Sequence, residues 1–339
     1  MRYFGSKSST VQSVLNLALA AKRISTAADA FGGLGTIGAS LRQHNIHVTT
    51  CDVLAMPHAF QHSRISCSSI PSYQRVRRHL NLVSRDALLT HLRQRRNPRS
   101  WFVREFSTER MFFTKDNAAR IAGAWDEIRR WNDEGLLSIS ERSHLVASLI
   151  NSLDACANTA GTYYAHLKHW DRKALRPFLL SFIPVPRGLP RGQALQGDAL
   201  ESLRDLNFDL LYLDPPYNGR DYARYYHLPE SLAKLRRPCT NPDSLAGLPR
   251  VIGKESLQFR QAIKIDYLRS LVEQVGWKRL VVQYCSDGFI PIAELRACLK
   301  SYGSMQEHKI ETLGYTTKSQ QRRYEHHVFI VDRKSRFSS

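Results

Sequence analysis

The sequence predicts an α/β protein: a doubly wound sheet that begins, is interrupted by a basic helical insertion, and resumes. Three observations predict it. Residues 24–53 alternate in kind as strand, glycine turn, helix, strand. Residues 64–170 lose that alternation and carry arginines and helical spacing instead. Short apolar runs bounded by turn residues return from residue 194 onward.

Each element has its own signal. "VQSVLNLALAAK" (11–22) places apolar residues at helical spacing. "AADAF" is a short buried strand, "GGLG" a turn, and "TIGASLRQH" opens a helix. "IHVTTC" is a second strand with Asp52 at its end, which completes a βαβ unit. Residues 115–170 read as helices, among them "NAARIAGAWDEIRRW" and "SERSHLVASLINSLDACAN", the latter opened by the cap "SISER". "RPFLLSFIPVPRGLPRG" (176–192) is rich in proline and glycine and reads as a connector. "ALQGD" (194–198), "FDLLYLD" (208–214) and "RLVVQYC" (279–285) read as buried parallel strands. "GSMQEHKIETLGY" and "RRYEHHVFIVD" pair as a C-terminal hairpin. The tail "RKSRFSS" is expected to be disordered.

Composition narrows the partners. Forty-nine Lys and Arg against 30 Asp and Glu leave a formal charge of +19, which favours a polyanion, nucleic acid before an acidic membrane surface. Arginine dominates that excess and suits bidentate contacts to phosphate and guanine. The six cysteines are scattered without a C-x-x-C pair, so they read as idle thiols in a reducing compartment. His326 and His327 are adjacent and cannot share one strand face. No run reaches the roughly 18 apolar residues of a membrane helix, and "MRYFGSKSS" has no signal-peptide core. A cytoplasmic protein is expected.

Two turns carry the chemistry. Gly33-Leu34-Gly35-Thr36-Ile37-Gly38 fits G-x-G-x-x-G after a strand, and Asp52 stands roughly 20 residues further on. A tight turn and a ribose-gripping acid serve NAD as well as S-adenosylmethionine, so an oxidoreductase stays open at this point. "DLLYLDPPYNGRDYARYY" (209–226) then puts an acid, two prolines and an aromatic at the carboxyl end of a buried strand. Open α/β sheets bind ligands at that edge. An adenine amine is a poor nucleophile because its lone pair is delocalised into the ring. The Asp214 carboxylate and the Pro215 carbonyl can accept its two N–H bonds and draw the nitrogen out of conjugation. Pro215 and Pro216 stiffen the turn, and Tyr217 can stack on the base. Such a site requires a base everted from its helix.

With both turns in place, the chain resembles the Dam-type, class alpha DNA adenine-N6 methyltransferases, and within them the FokI-type modification methylases. The resemblance covers nearly the whole chain. "RYFGSK" (2–7) is similar to the opening methionine-binding motif, with Tyr3, Gly5, Ser6 and Lys7 matching. "DAFGGLGTIG" (29–38) resembles the cofactor loop, which implies Phe31, Gly32, Gly33, Gly35 and Thr36 as cofactor contacts. Asp52 with Val53 would grip the ribose, and Asp198 with Ala199 in "QGDAL" the adenosine. "FFTKDNAARI" and "NTAGTYYAHLKHW" are similar to the helical insertion, and "QYCSDGF" stands where the family has Ser-Tyr-Asn. Leu34, Gly219, Pro229, Gln283 and Cys285 depart from the family pattern without touching D-P-P-Y.

The resemblance implies a Rossmann-like S-adenosylmethionine-dependent methyltransferase fold, a mixed seven-stranded sheet with a C-terminal antiparallel hairpin plus a mainly helical insertion. It also implies domains over residues 1–60 and 191–333 for catalysis and 61–190 for target recognition, with 334–339 as tail. The expected activity is methyl transfer to N6 of a flipped adenine in duplex DNA, with S-adenosyl-L-methionine and no metal. A cognate restriction enzyme or defence-system subunit is a further expected partner, and the protein is expected to act as a monomer. An RNA adenine-N6 methyltransferase and a catalytically silent DNA-binding regulator remain as alternatives.

The DNA-contact candidates are Arg75, Arg77, Arg78, Arg95 and Arg96 in the arginine-dense stretch, with Tyr163, Lys168, Arg220, Tyr222 and Lys318. A solvated charged face competes with phosphate binding for the arginines. A helix that buries its aromatics competes with a groove for residues 158–170, and a solvated lysine with a carboxylate-binding cation for Lys7.

Overall fold

The computed structural model describes residues 10–250, 253–313 and 323–333. Of these, the ones within Leu54–Gly188 and Asp221–Gly253 form one compact unit, and those within Gly5–Val53, Leu189–Arg220 and Lys254–Ser339 a second.

The second unit is built on seven strands: β1 Thr26–Asp29, β2 His47–Asp52, β3 Gln193–Gln196, β4 Asn207–Leu213, β5 Gly276–Cys285, β6 Gly303–Leu313 and β7 Arg323–Arg333. They lie in the order β3-β2-β1-β4-β5-β7-β6. Strands β1 to β5 run parallel, while β7 pairs antiparallel with both β5 and β6. The sheet is therefore mixed and Rossmann-like, with the expected antiparallel hairpin at its end. The strand order reverses between β1 and β4, which puts the ligand crevice of an open sheet at their carboxyl ends. Ala28, Leu211, Leu213, Leu280, Val282, Phe329 and Val331 form the sheet's share of one core, packed against Leu268, Leu271, Val272, Leu295 and Leu299 of flanking helices. Burial on both faces explains why β4 and β5 read as unbroken apolar runs; β3, expected to be buried, is instead a half-exposed edge strand, because only β2 pairs with it.

The first unit is helical. Its two long helices, Lys115–Asp133 and Ile139–Leu153, are the ones the spacing predicts. Ser138 and Glu141 make a full capping box on the second. The helical reading fails beyond it, because residues 154–192 contain no regular element. Asn158, fully buried, explains the loop: its amide donates to the carbonyls of Met111, Leu167 and His169, and its oxygen accepts the Asp171 amide. Side-chain bonds of this kind replace a helical ladder.

The helical unit also takes in residues 54–60 and 221–253, which the sequence reading gives to the sheet. Three polar ties hold them there. Glu230 accepts the amides of Ala55 and Met56 at 3.0 and 2.8 Å and so caps the helix Ala55–Gln61. The Trp125 indole donates to Leu232 O, and Arg110 donates twice to Ser244 O. Pro229 stands in the first turn of the helix His227–Ala233, where its missing N–H leaves no ladder bond unmade.

None of the six cysteines, all of them among the described residues, is in a disulfide. Among the described residues no helix is long and apolar enough to cross a membrane. The expected tail at 334–339 lies outside the described residues.

At the sheet's hairpin edge, Arg296 grips Glu307 with two bonds of 2.7 and 2.9 Å, and the His327 ring meets the same carboxylate at 2.7 Å. These partners hold the Glu307 carboxyl down, from 4.5 to about 2. A depressed acid stabilises the fold above its unfolded value and loses that contribution as pH falls through the folded one. Glu307→Gln should thus cost about 1–2 kcal/mol at neutral pH and progressively less between pH 4.5 and about 2, as read by urea unfolding at a series of pH values.

Candidate active site

The site is assembled at one edge of the sheet, from the loops that follow β1 to β5. Backbone hydrogen bonds join each loop to its neighbour. Gly197 N donates to Asp52 O at 3.0 Å, from the β3 loop to the end of β2. Gly32 N donates to Cys51 O at 2.9 Å, from the β1 loop to β2. Ala30 N donates to Tyr212 O at 3.2 Å, from the β1 loop to β4. Phe289 N donates to Tyr217 O at 2.9 Å, from the β5 loop to the proline turn. The glycine turn and the proline turn are thus side by side on adjacent parallel strands, with Asp29 in register with Tyr212.

The glycine turn folds as its sequence requires. Gly33 and Gly35 take φ of +50° and +75°, a region where a side chain is strained. Gly35 is the N-cap of the helix Thr36–Gln43 and closes on Gly32 O at 2.7 Å. The Asp52 carboxylate accepts the Gly33 amide at 3.1 Å, so the expected ribose acid also holds the turn. Phe31 and Thr36 are half-buried beside it, as is Val53 after Asp52. Asp198 caps the short helix Ala199–Ser202 through Leu200 N at 2.9 Å and accepts the Tyr267 hydroxyl at 2.5 Å. Ala199 is fully buried. The Tyr267 ring lies 6.2 Å from that of Phe31, which gives this side of the site an aromatic floor next to a carboxylate.

In the proline turn, Asp214 is half-buried, Pro215 buried, and Pro216 and Tyr217 half-buried. The Tyr217 ring is held edge-on by Tyr284 at 6.1 Å and His326 at 5.8 Å. Rings packed on two sides leave the phenol little room to turn. Burial and the nearby Asp214 charge raise the Tyr217 hydroxyl well above its usual value, so it stays neutral. Beneath the turn, the Tyr212 hydroxyl donates to Gln283, one of the departures from the family pattern, at 2.8 Å. Cys285, another departure, bonds the Asp287 carboxylate.

The sequence reading passed over Asp29. It ends β1 with 1% of its surface exposed, and its Oδ1 has no hydrogen-bond partner among the described residues. Burial first, then the charges of Asp214 and Asp52, push its carboxyl up from 3.8 to about 8. Three carboxyl groups from β1, β2 and β4 therefore face one edge. Tyr267 was also missed, because a tyrosine in the helix Ile265–Gln274 carries no local signal of its partner Asp198.

The expected DNA contacts fare unevenly. Arg75, Arg78, Arg95, Lys168 and Arg220 are exposed. Arg75 also reaches Gly135 O at 3.3 Å, and Arg95 the His91 ring at 3.1 Å. Arg96 is exposed but pairs with Asp116. Arg77 is half-buried and donates to Ser72 O. Tyr222 is half-buried and stacks on Tyr226 at 6.2 Å. Tyr163 is corrected: it is 4% exposed, its amide donates to Tyr225 O and its ring stacks on Phe112, so it packs inward and does not line a groove. Tyr3, Gly5, Ser6, Lys7 and Lys318 lie outside the described residues.

Comparison with known proteins agrees with this geometry. The D12 class N6 adenine-specific DNA methyltransferase family matches residues 3–239. The Type II methyltransferase M.FokI of Planomicrobium okeanokoites is 28% identical over 317 residues, 89% of this chain and 47% of that protein. The modification methylase StsI of Streptococcus sanguinis is 29% identical over 67% of this chain and 35% of its own length. The Type II methyltransferase M.NlaIII of Neisseria lactamica is 26% identical over 81% of this chain and 79% of that protein. The chain spans less than half the length of the first two relatives. Both turns of the site, with Asp52 and Asp198, fall inside the matched residues, and the chain belongs to the D12 class N6 adenine-specific DNA methyltransferase family.

Proposed function

We propose that the chain transfers a methyl group from S-adenosylmethionine to the N6 amine of an adenine everted from duplex DNA. The observation that carries this reading is the adjacency of the glycine turn and the D-P-P-Y turn on neighbouring parallel strands. Family membership supports the same substrate class.

Bound S-adenosylmethionine supplies a methyl group on a positively charged sulfur. The residues present fit such a group. The edge gathers three carboxyls, and the buried Asp29 oxygen without a partner among the described residues suits a cation. Asp52 would hold the ribose hydroxyls. Asp198, Tyr267 and Phe31 would hold the adenosine, and Gly32 to Gly35 would let the ligand approach the backbone closely.

The rest of the work falls to the proline turn. The Asp214 carboxylate and the Pro215 carbonyl accept the two N–H bonds of the target amine, which frees the nitrogen lone pair from the ring. Asp214 also balances the positive charge that develops on that nitrogen as the new N–C bond forms, and can take the proton it then loses. Tyr217, braced by Tyr284 and His326, offers a fixed face to the base. The exposed arginines supply sequence-independent phosphate contacts. A restriction enzyme of matching specificity is the partner that the relatives' names suggest.

Three outcomes are expected. Asp214→Ala should lower the methylation rate about 10²–10³-fold while S-adenosylmethionine still binds, as read by single-turnover methylation and calorimetry; unchanged methylation would contradict the assigned role. Asp52→Ala should weaken cofactor binding about 10–100-fold with DNA affinity unchanged. The third concerns Asp29, whose carboxyl is protonated below about pH 8. A bound cation favours its charged form, so binding should release a proton and cofactor affinity should rise with pH towards 8 and then level. Calorimetry in buffers of different ionisation enthalpy measures that proton, and Asp29→Asn should abolish the slope.

A further inference from the structure

Phe289 leaves 56% of its surface exposed, yet the loop that carries it is tightly determined. The loop spans residues 286–291, between β5 and the helix Ile292–Lys300. Four of its amides are tied down: Ser286 N donates to Glu325 O at 3.0 Å, Gly288 N to Cys285 O at 3.1 Å and Phe289 N to Tyr217 O at 2.9 Å. Ile290 N donates to the Tyr284 hydroxyl at 2.9 Å. Gly288 packs so close to the Tyr284 ring that an added Cβ would clash with it. The same Tyr284 ring braces Tyr217.

Two aromatic rings therefore leave one backbone joint with opposite fates. Tyr217 turns inward, between Tyr284 and His326. Phe289 stays in solvent, its ring tip 3.8 Å from where a side chain on Gly219 would begin. Gly219 and Arg220 are exposed as well. Gly219, which the ring tip approaches, follows Tyr217 by two residues, so the Phe289 ring stands next to the D-P-P-Y turn. Single exposed apolar side chains are common on protein surfaces. This one is set apart by a fixed pedestal hydrogen-bonded to the residue that would stack the target base.

We propose that Phe289 is a wedge: it enters the DNA stack next to the target adenine and fills the gap that eversion leaves. The inference rests on the methylation reading above. Everting a base sacrifices stacking and pairing, and an apolar ring inserted at the vacated step recovers part of that loss. A ring without polar atoms suits the inside of the stack, and the adjacent Arg220 suits the phosphate beside it.

The test compares two duplexes carrying the target adenine, one paired with thymine and one placed opposite an abasic site, where eversion costs less. Single-turnover methylation, fluorescence of 2-aminopurine at the target position, calorimetric affinity for S-adenosylmethionine and melting temperature are measured for the wild type, Phe289→Ala and Phe289→Leu. Phe289→Ala is expected to slow methylation of the paired duplex by about tenfold or more and to depress the 2-aminopurine signal. On the abasic duplex its loss should shrink to within about twofold, and Phe289→Leu should retain most of the wild-type rate on both. Cofactor affinity and melting temperature should match the wild type. Equal loss on both duplexes, or weakened cofactor binding, would overturn the wedge in favour of a wall of the base pocket or a role in folding. A Phe289→Ala enzyme as fast as the wild type would overturn it outright and leave the methylation reading standing. A wild type inactive on both duplexes would remove that reading and the wedge together.

Discussion

Everything at the active edge depends on the carboxyl ends of five parallel strands being held at one level. The sheet aligns them, and backbone hydrogen bonds between successive loops fix them: Gly197 to Asp52, Gly32 to Cys51, Ala30 to Tyr212 and Phe289 to Tyr217. The bonded groups are main-chain, so the girdle is indifferent to most side chains. It asks only for glycines where the chain must turn tightly, at Gly33 and Gly35, and where it lies on a ring, at Gly288. Side chains can then be chosen for chemistry. That division of labour lets Asp29, Asp52 and Asp214 sit at one edge although their charges oppose one another. The girdle holds them there, and protonation of Asp29 relieves part of the repulsion.

Polar groups elsewhere show the same economy. Asn158 organises a loop of the helical unit with one buried amide. Glu230 caps a helix that begins just after Asp52, and belongs to the segment that follows the D-P-P-Y turn. Arg85 and Arg93 spend part of their donor capacity on the carbonyls of Ile70 and Leu180. A basic composition therefore does not translate residue by residue into phosphate contacts. The arginines whose guanidinium groups stay exposed are a subset that charge counting cannot select.

That contrast marks how far the sequence could be read. Strands β4 and β5 were legible because burial on both faces leaves apolar runs such as Leu210–Leu213, and the hairpin because its two strands are long. The two turns were legible because glycine and proline report backbone geometry directly. Asp29 was not, since an acid at a strand end looks like an ordinary boundary until its burial is known. Choosing between Tyr163 and Tyr164 was equally out of reach: in a loop without periodicity, nothing local says that Tyr163 packs on Phe112 while Tyr164 stacks on Tyr225 with 44% of its surface exposed. The division of residues between the two units was obscured because contacts as remote in sequence as Glu230 with Ala55 decide it.

In the proposed function, the D-P-P-Y turn delivers an adenine amine to a methyl donor seated on the glycine turn. It is tested most directly by incubating the protein with duplex DNA and S-adenosylmethionine labelled in its methyl group, digesting the DNA to nucleosides and identifying the labelled one by mass spectrometry. Label is expected in N6-methyldeoxyadenosine alone, and none when matching RNA replaces the duplex. Label in a cytosine product or in the RNA, or no label in the DNA although the cofactor binds, would contradict it.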